Sequence, residues 1–207
     1  HLVDFMTDYL RMMVSGNHNV LISNPRDIAG FIKELKNWRF SALLGLNTLF
    51  VALMDHPDFK TLDFSSLKLT NSGGTALVKA TAERWEQMTG CRITEGYGLT
   101  ETAAPSHQNP VDHPKQQCLG IPFMSTDARV VDPETLQEVP QGEQGEIVIH
   151  GPEVFQGYWK RPDATEAAFF ELEGKRFFRS GDLGRVDDDG YFFITDRLKR
   201  MINASGF

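Results

Sequence analysis

The chain has 207 residues, of which 41% are hydrophobic, and 21 Lys and Arg face 28 Asp and Glu for a formal net charge of −7. That length can bury a sizeable core as one large domain or two small ones. The acidic balance leaves no basic stripe to neutralise phosphates and so excludes nucleic acid as a partner. No run of about 18 apolar residues is present to span a membrane as a helix, and no secretory leader pattern is visible. Cys91 and Cys118 match neither a disulfide framework nor a metal-ligand spacing, and read as reduced thiols of a cytoplasmic protein. The chain starts at His1 and stops at Phe207, and both ends are expected to be cuts within a longer protein.

In chain order, Leu2, Phe5, Met6, Tyr9, Leu10 and Met13 fall on one face of an amphipathic helix. Its other face carries Asp4 and Asp8, which favours packing on a core over binding an anionic lipid surface. Val20–Ser23 reads as a short buried strand. Asn24-Pro25 then opens a helix, Asn as N-cap and Pro at the first helical position, with Ile28, Phe31, Ile32 and Leu35 inward. Ser41–Leu44 is a second strand; Leu46, Leu49, Phe50, Leu53 and Met54 form a helical stripe that ends near Pro57. Leu67–Leu69 is the next strand. It runs into the turn Asn71-Ser72-Gly73-Gly74-Thr75-Ala76, followed by a helix with Val78, Ala82 and Trp85 on one face. Strands alternating with helices predict an α/β fold with a mainly parallel sheet.

A Gly-rich turn after a strand and before a helix is where α/β folds place ligands. The turn at 71–76 is not a P-loop, since no Gly-x-x-x-x-Gly-Lys-Ser/Thr is present. Arg92–Thr94 is a strand leading into Thr94-Glu95-Gly96-Tyr97-Gly98-Leu99-Thr100-Glu101-Thr102. Here Gly96 and Gly98 let backbone approach a ligand. Tyr97 offers a flat face suited to a purine, Thr100 a hydroxyl suited to a phosphate oxygen, and Glu101 a hard oxygen ligand for Mg²⁺. Taken alone, the segment also reads as a strand–turn–helix corner with an ordinary Tyr and a capping Thr. From Pro105 to Pro114 the chain is polar and turn-rich, as for a loop over a site. His107, His113 and His150 fit no zinc spacing, and the first two read as surface-loop residues.

From about Gly120 the texture changes. Ala128–Val131, Gly145–His150, Arg179–Val186 and Tyr191–Thr195 read as short strands between turns at Asp132-Pro133, Pro140-Gln141-Gly142 and Asp188-Asp189-Gly190, with a short helix over Asp163–Phe169. This predicts a small barrel-like β subdomain. Asp187-Asp188-Asp189-Gly190 is a hairpin turn rather than a calcium loop, because an EF-hand register would put Arg185 at the first ligand position.

Tyr97-Gly98-Leu99-Thr100-Glu101 resembles the core motif of the adenylate-forming enzymes, the superfamily of acyl-CoA synthetases, peptide-synthetase adenylation domains and luciferases. Further resemblances follow in the family's order. Gly145-Glu146-Ile147-Val148-Ile149 with Gly151, Gly157 and Tyr158 is similar to its Gly-Glu-Leu…Gly-Tyr motif, taken as structural. Phe178-Arg179-Ser180-Gly181-Asp182 is similar to Tyr-Arg-Thr-Gly-Asp, and Asp196-Arg197-Leu198-Lys199 to its hinge. Ser205-Gly206 begins the next family segment. Asn24-Pro25-Arg26-Asp27, Leu62–Leu67 and Gly157–Thr165 resemble bacterial long-chain fatty-acid–CoA ligases, and His1 stands where that group has a His near its acyl site.

The resemblance implies part of the large N-terminal domain of such an enzyme: residues 1–119 an α/β subdomain with adenine and phosphate motifs, 120–195 the β subdomain with the ribose site, and 196–207 a hinge. It implies that the backbone at Gly73, Gly74 and Thr75 lines one side of an adenine, with Tyr97 and Gly98 on the other. Thr100 then contacts the α-phosphate, Glu101 holds Mg²⁺, Asp182 and Arg197 bind the ribose, and Asp196 is the pivot. The implied activity is AMP-forming ligation of a fatty acid, using ATP, Mg²⁺ and CoA, with an adenylating enzyme that serves a carrier protein, or a non-catalytic nucleotide-binding module, as alternatives. The family's phosphate loop would lie before His1 and its C-terminal lysine beyond Phe207, so these residues by themselves are expected not to turn over. Chain length of the acid and oligomeric state stay open, and a fatty substrate leaves room for peripheral contact with the inner face of the membrane.

Overall fold

The computed structural model describes residues 11–198. The chain divides into two compact units, His1–Gly120 and Ile121–Phe207. Of the helix expected over 2–13, residues 1–10 lie outside the described residues; Arg11–Val14 is helical (α1).

In the first unit the helices α2 (Ile28–Leu35), α3 (Asn47–Asp55) and α4 (Lys79–Thr89) accompany the strands β1 (Ala42–Gly45), β2 (Leu69–Ser72), β3 (Ile93–Gly98) and β4 (Pro105–Gln108). The strands lie in that order, with β1, β2 and β3 parallel and β4 antiparallel to β3. Helix α3 lies between β1 and β2 in the chain, and α4 between β2 and β3, the alternation that parallel pairing requires. Phe31, Ile32 and Leu35 of α2 are buried, as are Phe50, Leu53 and Met54 of α3, as their helical spacing predicts. At the centre Trp85 is fully buried, its ring centroid 4.9 Å from that of Phe50 and 5.4 Å from that of Phe59. Its Nε1 donates to Thr70 Oγ1 at 3.2 Å, which satisfies the one polar group that the indole brings inside.

Several expectations are corrected. Val20–Ser23 is not a strand: Leu21 is exposed, and only Ile22 of this run packs against the core, as a single apolar anchor. Helix α2 starts later than Asn24-Pro25, because Asn24 Oδ1 instead accepts from Arg26 N in a local turn, while Asp27 caps the helix by accepting from Gly30 N at 3.0 Å. Strand β2 begins at Leu69 and extends through Asn71 and Ser72, which the sequence reading had placed in the turn. Val78 is exposed at the N-cap of α4, where Thr81, Ala82 and Trp85 form the buried face. The polar stretch after Pro105 begins as β4, and His107 there is fully buried rather than on a surface loop.

The second unit opens with β5 (Ile121–Pro122) and continues with β6 (Asp127–Val131), β7 (Gly145–His150), α5 (Pro162–Ala167), β8 (Phe169–Leu172), β9 (Lys175–Val186) and β10 (Phe192–Arg197). Its sheet has the order β10-β9-β7-β6, with β8 paired to β9 and every pairing antiparallel. It forms a curled half-barrel. The hairpin at 187–190 is present, with Asp187 Oδ1 accepting from the amides of Asp189 and Tyr191. Phe169 ends no helix. It opens the unforeseen strand β8, where its ring joins Phe155 and Phe178 at centroid distances of 5.4 and 5.7 Å. That aromatic burial outweighs the helical continuation.

Trp85→Ala should cost about 3–5 kcal/mol, the penalty for emptying a large buried aromatic site. Urea denaturation of the variant should show the loss, and an unchanged midpoint would refute this account of the core.

Candidate active site

Because β2 and β3 are parallel, their C-terminal ends open on the same edge of the sheet, the edge at which α/β folds bind ligands. Ser72 pairs with Glu95, so the turn Gly73-Gly74-Thr75 leaves β2 beside the start of Gly96-Tyr97-Gly98 on β3. The first unit thus brings Gly73, Gly74, Thr75, Tyr97, Gly98, Thr100 and Glu101 to one edge.

The segment is a strand followed by a single turn, not the strand–turn–helix corner of the plainest reading. Thr100–Thr102 is one 3₁₀ turn, after which the chain doubles back as β4, with Tyr97 opposite His107 and Gly98 opposite Pro105. A Cβ on Gly98 would sit 2.8 Å from Pro105 Cα and 2.9 Å from Ala104 O, so this close return admits only glycine. Thr102 organises the turn from inside: its Oγ1 accepts from Leu99 N at 2.9 Å and lies 2.8 Å from the carbonyl oxygen of Ala104. That hydroxyl leaves Thr100 exposed and Glu101 partly exposed on the outer side of the turn.

Tyr97 is only 7% exposed, and its ring stands 5.7 Å from the His107 ring at 61°. It is a wall supported from behind rather than a ring standing in solvent. Burial holds His107 neutral by lowering its pKa to about 3, and its Nδ1 lies 2.9 Å from Ser106 Oγ.

The second unit unites the other predicted residues. Asp182 and Arg197 are cross-strand partners on β9 and β10, and Arg197 Nε donates to Asp182 Oδ1 at 2.6 Å. Asp182 is buried and Arg197 half-exposed, so the carboxylate is the deeper partner. Asp196 is exposed beside a register shift in β10, and its Oδ1 accepts from Arg197 N at 2.8 Å. Lys199 and Ser205-Gly206 lie outside the described residues, as does His1.

What sets Asp182 in place is a residue that the sequence reading took only as structural. Glu146 is 1% exposed on β7, accepts from Arg179 Nε and Nη2 at 2.9 and 2.7 Å through Oε2, and accepts from Gly181 N at 3.0 Å through Oε1. Ser180 Oγ donates to Ile147 O at 2.6 Å and accepts from Asp182 N at 3.0 Å. Gly181 sits at φ +73°, a conformation that a side chain would strain. The signal was available, since a carboxylate inside the apolar run Gly145–Ile149 needs a partner once buried.

A metal is tested by the donor set. No group of three or more His, Cys, Asp or Glu able to hold an ion occurs among the described residues. Glu101 offers a single carboxylate on a partly exposed turn, a donor that fits an open ion of the Mg²⁺ type and fits no all-protein cage.

The family model for AMP-binding enzymes matches residues 1–159 of this chain. The chain belongs to the AMP-binding enzyme family. It is 43% identical over its whole length to a long-chain-fatty-acid–CoA ligase of Escherichia coli O6:H1 and equally to one of Salmonella typhimurium, covering 36% of each. Among solved structures it matches a long-chain-fatty-acid-CoA ligase from Archaeoglobus fulgidus with a TM-score of 0.85 and 27% identity, over 96% of this chain and 42% of that one. It also matches ATP-bound MatB from Rhodopseudomonas palustris with a TM-score of 0.82 and 30% identity, over all of this chain and 40% of that one. The chain therefore spans little more than a third of the AMP-binding enzymes it matches in sequence. No helix among the described residues is long and apolar enough to cross a membrane.

Two outcomes are expected for this chain. Glu146→Ala should lower stability by about 3 kcal/mol, because it strands a partly buried guanidinium and an amide, whereas Glu146→Gln, which keeps an acceptor, should lose less; equal urea midpoints for both variants and the unaltered chain would refute the role. For His107, the unfolded-state pKa near 6.5 exceeds the folded value near 3. Its contribution is therefore present above pH ~6.5 and lost as pH falls toward 3, at no more than about 1.4 kcal/mol per pH unit. His107→Leu should flatten the stability–pH curve in that window, and an unaltered slope there would contradict the assignment.

Proposed function

We propose that the whole protein to which this chain belongs is an ATP-dependent acid–CoA ligase that activates a long-chain fatty acid as acyl-AMP, and that this chain carries most of its nucleotide contacts. The observation that supports it most is the gathering of the Gly73–Thr75 turn and the Tyr97–Glu101 segment at one edge of a parallel sheet, in a chain 43% identical to long-chain-fatty-acid–CoA ligases.

On this reading the backbone of Gly73, Gly74 and Thr75 flanks the adenine on one side, with Tyr97 and Gly98 on the other. Asp182 accepts from the ribose hydroxyls, since one ionised carboxylate has acceptor sites for both arms of a diol while keeping Arg197. Thr100 donates to an α-phosphate oxygen. Glu101 would hold Mg²⁺, which when bound supplies positive charge against the phosphates. Asp196 is the pivot for a following segment.

The chemistry explains the need for ATP. A carboxylate is a poor electrophile because its charge is delocalised and its oxygens leave badly. Attack of the acid's oxygen on the α-phosphorus expels pyrophosphate and converts that oxygen into part of AMP, a good leaving group. The CoA thiol then attacks the acyl carbon, losing its proton and releasing AMP. The first step needs the carboxylate in line with the α-phosphate and the growing negative charge stabilised. Thr100 is suited to the second task. The fatty acid and CoA rest here on the names of the relatives, and a cytoplasmic setting with room for peripheral membrane contact is carried as part of the same proposal.

The test is carboxylate-dependent ATP–pyrophosphate exchange by the whole protein across acids of increasing chain length. Exchange should peak with long chains, and Thr100→Val should reduce it about 10²-fold. Absence of exchange with every acid would refute the ligase reading. Exchange without a CoA requirement in the second half-reaction would favour a carrier-protein acceptor.

A further inference from the structure

Glu95 precedes Gly96-Tyr97-Gly98 on β3, and its side chain is partly buried. Its Oε1 accepts from Gln117 N at 2.8 Å. The amides of Leu77 and Cys118 also donate to this carboxylate, partly offsetting the burial that pushes its pKa up. A cavity of about 10 Å³, room for at most one water, is lined by Glu95 with Leu77, Gln117 and Lys79, and the Lys79 ammonium approaches Glu83 at 3.8 Å.

The three amides come from two segments far apart in sequence. Leu77 is the residue at which the Gly73–Ala76 turn comes back to the core, where it is 5% exposed. Gln117, at φ +55°, and Cys118 close the loop that follows β4. A fully buried group also ties down this loop: Asn109, 1% exposed, donates from Nδ2 to Lys115 O at 2.7 Å and to Cys118 O at 3.1 Å, and its Oδ1 accepts from Lys115 N at 2.9 Å. Asn109 N in turn donates to Glu95 O at 2.9 Å. At the other end of the turn, the one heavy atom within 4 Å of a Cβ placed on Gly73 would be Gly96 O, at 3.9 Å. The glycine turn is therefore tied to β3 at its start, where Ser72 pairs with Glu95, and at its end by the Glu95 carboxylate at Leu77.

We infer that Glu95 is a positioning residue that sets the width of the slot between the Gly73–Thr75 backbone and the Tyr97 strand, and through that width the preference for a purine base. This rests on the nucleotide reading proposed above. The side chain touches neither base nor phosphate. It acts by fixing Leu77, and with it the turn, at a set height over β3, while the 109–118 loop is clamped on its other side. Loss of the carboxylate leaves three amides without their acceptor, and the turn is then free to drift from β3. A wider slot costs a purine its stacking contact and costs a smaller pyrimidine much less.

The experiment measures the dissociation constants of AMP and CMP on the whole protein, for the unaltered sequence, Glu95→Ala, Glu95→Gln and Asp182→Asn. In the unaltered protein AMP should bind more tightly than CMP. Glu95→Ala should weaken AMP about tenfold and CMP less than about threefold, which collapses the preference, and Glu95→Gln, which keeps one carbonyl acceptor, should restore most of it. Asp182→Asn should weaken both nucleotides alike, since the ribose is common to them. A folded Glu95→Ala protein with an unchanged AMP-to-CMP ratio would overturn the inference. Should Glu95→Ala fail to fold, Glu95→Leu, which fills the space without an acceptor, decides: a ratio well below that of the unaltered protein supports the role and an unchanged ratio overturns it. Failure of the unaltered protein to bind either nucleotide would instead overturn the nucleotide reading and this inference with it.

Discussion

In each unit a carboxylate that folding draws in from water, fully in one and partly in the other, is satisfied by neighbouring donors. In the second unit it is Glu146, held by the Arg179 guanidinium and the amide of Gly181. In the first it is Glu95, only partly buried and held by backbone amides. A buried ion without such partners costs several kcal/mol, so the surrounding chain has little freedom once the group is inside. That is how one side chain fixes segments distant from it in sequence.

The two solutions differ in what they make rigid. Arg179 contributes a planar fork, and Glu146 meets two of its nitrogens through a single oxygen, which leaves the other oxygen for Gly181. The direction of Arg179-Ser180-Gly181-Asp182 is thereby settled before any ligand is present. Around Glu95 the donors carry no charge, so the attraction is weaker and desolvation is only partly offset. The second unit's predicted ribose contact is the more firmly built of the two.

Much of this was legible in the sequence because it was written in periodicity and turn chemistry. The faces of α2 and α3, the strand Gly145–His150 and the hairpin at Asp187–Gly190 obey local rules, and local rules suffice there. The errors fall where a distant partner decides. Pro105–Gln108 is polar and reads as loop, yet β3 supplies its pairing and Tyr97 covers His107. Phe169 continues a helical pattern until Phe155 and Phe178 draw it into a strand. Val20–Ser23 has strand composition but no neighbour to pair with among the described residues. For the site, the motifs marked the side chains expected to face a ligand, and gave no site role to Thr102, Glu146 or Glu95, which act from behind them.

The Asp182–Arg197 pair shows why two residues fifteen positions apart have unequal standing. Asp182 is buried and Arg197 is half-exposed, so water can solvate the cation far better than the carboxylate. Removing Asp182 leaves a guanidinium that can turn to solvent; removing Arg197 leaves a buried anion to be satisfied by weaker donors. A neutral ribose diol is such a donor, but two hydroxyls do not replace a full positive charge at 2.6 Å. On the proposed reading the ribose therefore joins the ion pair and does not displace it, and Arg197 keeps the carboxylate aimed. The same bond joins Asp182 on β9 to the end of β10, next to Asp196, so occupancy of the ribose site and the geometry of the expected pivot share one carboxylate.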